Sequence, residues 1–327
     1  MKKILMMSVR EDEKEAIENW SERHPDVEVG IDEGELHADT VAKLKGFDGV
    51  VIQQRSLVED EVYAELKNLG LKQISTRTAG YDIINVNLTH KNGLKVTNVP
   101  AYSPRSVAEL ALAHTMRLIR NLELFDERAE EQDFRWIGLK GIHTLTIGII
   151  GAGRIGGTAA KLFNALGAKV IAYDIKPNPE LNEVLTYKSL NEVLQESDVI
   201  SLHVDLNETT KGLIGSEELA LMKPTAFLIN ECRGPVVDTD ALIAALKNKK
   251  LAGAALDTLT GEENFFNFDL RGKELPSEQL KELRAMNNVI LTPHVGFYTN
   301  VAVQNMVDIS LDDVLAIISE KRSDHEI

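Results

Sequence analysis

The sequence predicts an α/β protein of two doubly wound parallel-sheet domains with a cleft between them. Three observations carry this: strand and helix patterns alternate twice along the chain, a pair of prolines separates the two series, and a glycine-rich turn sits between a strand and a helix in the second. The 327 residues suffice for about two domains at roughly 100–200 residues each.

In the first series, short apolar or β-branched runs at residues 3–7, 49–53, 73–76 and 95–97 read as strands. Amphipathic stretches at 12–23 and 59–69 read as helices between them. Pro100 and Pro104 bracket Ala101-Tyr102-Ser103, and a helical pattern then runs from Arg105 to about Gln132. The second series places strands at 145–150, 169–173, 199–204, 226–230, 251–256 and 289–291. A last helix at 300–319 has no strand after it and is expected to return to the first domain. The expected domains are therefore 1–100 plus 300–327, and 101–299.

The formal charge of −15 argues against nucleic acid and anionic membrane as partners. One cysteine, Cys232, permits neither an intrachain disulfide nor a thiolate-rich metal site, so no metal is expected and a reducing compartment is. The apolar start at Met1 is ended by Ser8 and Arg10, too soon for a secretory signal, and no run of about 18 apolar residues occurs. The expected location is the cytoplasm.

Residues 145–156 form a strand followed by Gly151-Ala152-Gly153-Arg154-Ile155-Gly156, the spacing G-x-G-x-x-G, and then a helix. The next strand ends in Asp174, about 20 residues on, completing the fingerprint of a Rossmann dinucleotide site. Gly151 permits the tight turn, Gly153 lets a pyrophosphate approach the backbone, and Gly156 lets helix and strand pack closely. The Asp174 carboxylate suits an adenosine ribose and repels a 2′-phosphate, which favours NAD over NADP. A glycine-rich turn that binds nothing is the competing reading, and the register of strand, turn, helix, strand and acid weighs against it.

Ligands of a doubly wound sheet bind beyond the carboxyl ends of its strands. Arg233 follows the strand at 226–230, Asp257 and Glu262 follow 251–256, and His294 follows 289–291. Hydride exchange between a nicotinamide and a 2-hydroxy acid needs such a set. His294 is the candidate acid/base, Glu262 the carboxylate that orients it, and Arg233 a fork-shaped clamp for a substrate carboxylate. Each taken singly also has a bland reading as a structural histidine, a surface arginine or a solvated acid. His114 reads as a packed helix residue, His203 as a minor cofactor-side candidate, and Cys232 as a small residue in a tight turn.

These residues resemble the D-isomer-specific 2-hydroxyacid dehydrogenases, most closely the bacterial D-lactate dehydrogenases. The resemblance spans essentially the whole chain: Arg77-Thr78-Ala79-Gly80-Tyr81-Asp82, Asn98-Val99-Pro100-Ala101-Tyr102-Ser103-Pro104, the glycine turn, Asp198 to Val204, Arg233-Gly234, Asp257 with Glu262, and Thr292-Pro293-His294 with Phe297-Tyr298-Thr299. It implies a flavodoxin-like substrate domain beside the NAD-binding domain, and a homodimer through the latter. It implies that Ala79 and Gly80 hold a substrate carboxylate with Arg233, and that Tyr102 and Tyr298 line the substrate site. It further implies NAD contacts from Arg154, Ile155, Asp174, Val204, Asp205, Glu231, Cys232 and Asp257, with His294 as proton donor and Glu262 as its partner.

Asp205 stands where many relatives have proline, Cys232 where they have a small residue, and Gln53 where lactate-type relatives often carry an aromatic. The expected reaction is reduction of pyruvate to D-lactate by NADH. Bulkier 2-keto acids of the 2-ketoisocaproate type and a non-catalytic NAD(H)-sensing role stay open as alternatives.

Overall fold

A computed structural model describes residues 1–327. In chain order the strands of the amino-terminal half are β1 (Lys2–Met6), β2 (Val27–Ile31), β3 (Gly49–Ile52), β4 (Gln73–Thr76) and β5 (Lys95–Thr97). The remaining strands are β6 (Thr146–Ile150), β7 (Lys169–Tyr173), β8 (Thr186–Tyr187), β9 (Val199–Leu202), β10 (Phe227–Asn230), β11 (Gly253–Leu256) and β12 (Val289–Leu291). The first helices are α1 (Lys14–Arg23), α2 (Asp60–Asn68), α3 (Val86–Lys91), α4 (Pro104–Ile119), α5 (Leu122–Glu130) and α6 (Arg154–Ala165). They are followed by α7 (Leu190–Glu196), α8 (Ser216–Leu221), α9 (Thr239–Lys247), α10 (Glu278–Arg284) and α11 (Asn300–Ile318). No helix is long and apolar enough to cross a membrane.

The chain divides into two compact units, Met1–Ser103 with Tyr298–Ile327, and Pro104–Phe297. The first holds a five-stranded parallel sheet in the order β2-β1-β3-β4-β5. β3 and β4 are buried along their whole length, as expected of central strands covered on both faces. One face is covered by Leu36, Leu44, Val62, Tyr63 and Leu66, the other by α1 and α11, where Trp20 packs with Val307 and Leu311.

The second unit holds a seven-stranded parallel sheet in the order β12-β11-β10-β9-β6-β7-β8. Its two apolar layers run through Ile150, Leu202 and Leu228 on one side and Ile149, Ala160 and Phe163 on the other.

The differences from expectation are local. The sequence patterns pass over β2 and β8, which both lie at sheet edges and so lack the continuous apolar run of a central strand. The single helix expected from Arg105 to Gln132 is two, α4 and α5, because Asn121 takes a left-handed conformation with φ 47°. The stretch beginning at Asp12 opens as a 3-10 turn over Glu11–Glu13 before α1.

A fully buried ion pair ties the carboxyl ends of β1 and β4 together. Arg77 Nε donates to Glu13 Oε1 at 2.7 Å and its Nη2 to Glu13 Oε2 at 3.0 Å, while Nη1 donates to the Met7 carbonyl at 2.9 Å and Nη2 to that of Ser8 at 2.8 Å. Both side chains are out of contact with water; Glu13 Oε2 also accepts the Arg10 N–H at 2.8 Å and Oε1 lies 3.5 Å from Arg10 Nη2, so removing Arg77 leaves a buried carboxylate with only its Arg10 contacts. Arg77→Leu is expected to lower unfolding stability by roughly 3 kcal/mol in urea titrations, and adding Glu13→Leu, which removes the buried charge but also the acceptor of the Arg10 N–H, is expected to recover part of the loss.

Candidate active site

The glycine turn of the second unit is built for a ligand that comes close to backbone. Gly151 has φ +89°, and a Cβ there would stand 2.6 Å from the His203 carbonyl oxygen and 2.9 Å from Val204 Cγ1. A Cβ on Gly156 would stand 1.9 Å from the Gly151 carbonyl oxygen, so α6 can start against the turn only with glycine there. A Cβ on Gly153 would meet nothing within 4 Å, which leaves the first turn of α6 open in front of Arg154 and Ile155. Asp174 accepts the Ala152 N–H at 2.7 Å on Oδ2 and the Lys176 N–H at 2.7 Å on Oδ1. A carboxylate has about four lone-pair positions, so it can still accept from ribose hydroxyls. These residues fit a dinucleotide.

Asp257 organises the turn after β12. Its backbone carbonyl accepts the His294 N–H at 2.8 Å, Oδ1 accepts the Val295 N–H at 2.9 Å and the Thr292 hydroxyl at 2.5 Å, and Oδ2 accepts the Gly296 N–H at 2.7 Å. Held this way, His294 adopts φ 55°, a conformation that costs a non-glycine residue on the order of 1–3 kcal/mol and marks a site where geometry is enforced.

The imidazole of His294 reaches the 3-10 turn Glu262–Asn264, with Nδ1 2.5 Å from Glu262 Oε1. Glu262 Oε2 accepts the Leu259 N–H at 2.8 Å, so both carboxylate oxygens are engaged. Nε2 is the ring nitrogen left to exchange a proton.

Arg233 follows β10, where Asn230 Nδ2 donates to its carbonyl at 3.0 Å and Asn230 Oδ1 accepts the Cys232 N–H at 3.1 Å. A Cβ on Gly234 would lie 2.2 Å from the Leu259 carbonyl carbon, so this residue lets the Arg233 strand end pack directly on the turn that carries Glu262. Arg233 Nη1 donates to the Cys232 carbonyl at 2.8 Å. Burial pushes the Cys232 thiol up to about 11, leaving it protonated and unreactive in neutral solution. Nearby, the Asp205 carbonyl accepts the Thr210 hydroxyl at 2.5 Å.

Of the candidates in the first unit, Ala79 and Gly80 follow β4, Tyr102 follows β5 and Tyr298 precedes α11. The Ala79 and Gly80 carbonyls accept from Asn98 Nδ2 at 2.7 Å and Thr78 Oγ1 at 2.6 Å, whereas their N–H groups donate to no protein acceptor. The Tyr102 carbonyl accepts from Asn305 Nδ2 at 3.0 Å. Arg10 lies over the exposed Tyr298 ring, 6.0 Å from its centre, and donates to Gln53 Oε1 at 2.7 Å.

Sequence reasoning passed over one pair. His114 on α4 is fully buried with Nδ1 2.6 Å from Glu231 Oε1, so the Glu231 side chain is turned toward that helix. The signals were present: a histidine on an otherwise apolar helix face, and an acid continuing a buried strand. His203 accompanies Ser201, with Nε2 2.9 Å from its Oγ.

A family model described as D-isomer specific 2-hydroxyacid dehydrogenase, NAD binding domain, matches residues 112–296. A Clostridioides difficile protein named D-2-hydroxyacid dehydrogenase (NAD(+)) is 44% identical over 321 residues, 97% of each chain. Among solved structures, a D-lactate dehydrogenase from a Sporolactobacillus species is 61% identical with TM-score 0.89, covering 99% of this chain and 98% of that one. The NAD-complexed D-isomer specific 2-hydroxyacid dehydrogenase of Lactobacillus delbrueckii ssp. bulgaricus is 41% identical with TM-score 0.91, covering 100% of both chains.

The buried histidines give a stability prediction. Burial lowers His203 from 6.5 to about 4, so in that interval the unfolded chain takes up a proton that the folded one refuses, and stability falls as pH falls. His114 is lowered by burial as well, but Glu231 is raised by burial, and neutral Glu231 with neutral His114 binds as many protons as the ionised pair of the unfolded chain. Between pH 6.5 and about 4, His203→Asn is therefore expected to remove about 1.4 kcal/mol per pH unit from the acid slope measured by urea unfolding.

Proposed function

The chain belongs to the D-isomer-specific 2-hydroxyacid dehydrogenase family, NAD-dependent oxidoreductases of the CH–OH group of D-2-hydroxy acids, and from that premise we propose that it reduces pyruvate to D-lactate. The observation that carries the proposal is the 2.5 Å contact between His294 and Glu262, both oxygens of the carboxylate engaged and the imidazole held by the Asp257 turn. Bound NADH supplies the hydride for C2. Everything else falls to side chains and backbone of this chain.

Arg233 binds the substrate carboxylate and polarises the C2 carbonyl, with the unclaimed N–H groups of Ala79 and Gly80 as further carboxylate donors. Tyr102 and Tyr298 line the substrate. His294 Nε2 delivers the proton to the C2 oxygen, while Glu262 holds Nδ1 and thereby the direction of the ring. Gly151, Gly153, Arg154, Ile155 and Gly156 receive the dinucleotide, with Asp174 at the adenosine ribose and Val204, Asp205, Glu231, Cys232 and Asp257 along its length. Because the Glu231 side chain is turned to His114, its main chain is the part offered to NAD.

The proposed assembly is a homodimer through the second unit. Its support is the non-helical stretch after α5, where two large apolar side chains two residues apart, Phe134 and Trp136, are 74% and 95% exposed and offer a contact face. The proposed location is the cytoplasm, in keeping with a single, unpaired, buried cysteine.

Purified protein with NADH is expected to oxidise it on addition of pyruvate and to yield the D enantiomer of lactate; oxidation only with branched or aromatic 2-keto acids would move the substrate, and none with any of them would overturn the enzymatic reading. Arg233→Lys is expected to raise KM and lower kcat together, since a point charge cannot replace the planar fork. Trp136→Glu is expected to shift the protein from dimer to monomer in light scattering.

A further inference from the structure

We propose that His114 and Glu231 are positioning residues that share a proton and keep Glu231 uncharged beneath the turn carrying His294. Glu231 Oε1 lies 2.6 Å from His114 Nδ1, and both side chains are wholly buried. Glu231 Oε2 and His114 Nε2 have no partner. A methyl group placed on Gly296 would meet Asp257 Oδ2 at 3.1 Å and Glu231 Oε2 at 3.4 Å, so the two carboxyl groups press on the same point of the turn. Asp257 already accepts three hydrogen bonds there. A second buried carboxylate against Gly296 would be repelled by the first, and the turn would shift.

The surroundings agree. Burial and the neighbouring Asp257 raise Glu231 well above the ordinary carboxyl value, with His294 acting weakly the other way. His114 is lowered to about 4 by burial; Asp257 on β11's end and Glu123 on α5 oppose the shift, and Arg117 on α4 adds to it. The consistent state is a carboxylic acid on Glu231 donating to Nδ1 of a neutral His114. The pair touches neither of the atoms proposed to react, and acts through Gly296 and the backbone of the turn on His294. It rests on the reading of His294 as proton donor.

Two measurements without substrate test the proton. An infrared difference spectrum of wild type against Glu231→Gln at neutral pH is expected to show a protonated carboxyl band; a carboxylate band in its place overturns the proposal. Above pH 6.5 the unfolded pair has lost the proton that the folded pair keeps, so for as long as Glu231 holds that proton the wild-type unfolding constant should rise by up to about tenfold per pH unit. That rise should vanish in Glu231→Gln, and an equal rise in both proteins overturns it. For positioning, His114→Phe is expected to lower kcat about tenfold with KM for pyruvate changed by less than about twofold, and His114→Asn, whose amide oxygen can stand in for Nδ1, to recover most of it. Wild-type kcat in His114→Phe overturns the positioning role. If His114→Phe does not fold, an alkaline loss of kcat in His114→Asn no different from wild type does so. A wild-type protein inert toward every 2-keto acid, yet showing the carboxyl band, would refute the catalytic reading and leave the protonated pair standing.

Discussion

The geometry of the second unit hangs on one carboxylate. Asp257 stands at the end of β11, and its side chain takes the N–H groups of Val295 and Gly296 together with the Thr292 hydroxyl, while its carbonyl takes the N–H of His294. These bonds cross from one strand end to the next and offset the left-handed backbone of His294. Without them the imidazole would have no fixed place from which to meet Glu262, and the contact at 2.5 Å would be one arrangement among several.

That anchoring works because the strands are parallel. A parallel sheet gathers the carboxyl ends of all its strands on one edge, so Arg233, Asp257 and His294, far apart in sequence, follow three neighbouring strands β10, β11 and β12. Helix α4 also reaches the end of β10, where His114 meets Glu231. The first unit follows the same logic on a smaller sheet: the buried Arg77–Glu13 pair joins the ends of β1 and β4, next to the backbone of Thr78 to Gly80.

The chemistry follows from what each group is prevented from doing. Glu262 is engaged on both oxygens and cannot rotate without breaking a bond. Cys232 sits inside the fold as an unreactive thiol beside Arg233, and Asn230 fixes the backbone on either side of it. The glycine turn shows the opposite constraint, open backbone where a Cβ on Gly153 would meet nothing. An imidazole held by a fixed carboxylate and an open helix start thus stand at strand ends of the same sheet.

The sequence by itself determined the fold class, the central strands, the glycine turn followed by Asp174, and the position of Arg233, Glu262 and His294 after successive strands. Those features are written in local periodicity or in residues that directly follow an apolar run, and neither needs knowledge of distant partners. The edge strands β2 and β8 escaped because an edge exposes part of its surface and its apolar pattern thins out. The break between α4 and α5 escaped because a left-handed Asn121 leaves the helical spacing on both sides intact. Only the tertiary structure decided that Asp257 spends its carboxylate on the His294 turn and that His114 and Glu231, 117 positions apart, face each other. Hydrogen bonds of that kind depend on where a buried polar atom finds a partner once strands and helices have packed, and no periodicity along the chain records it.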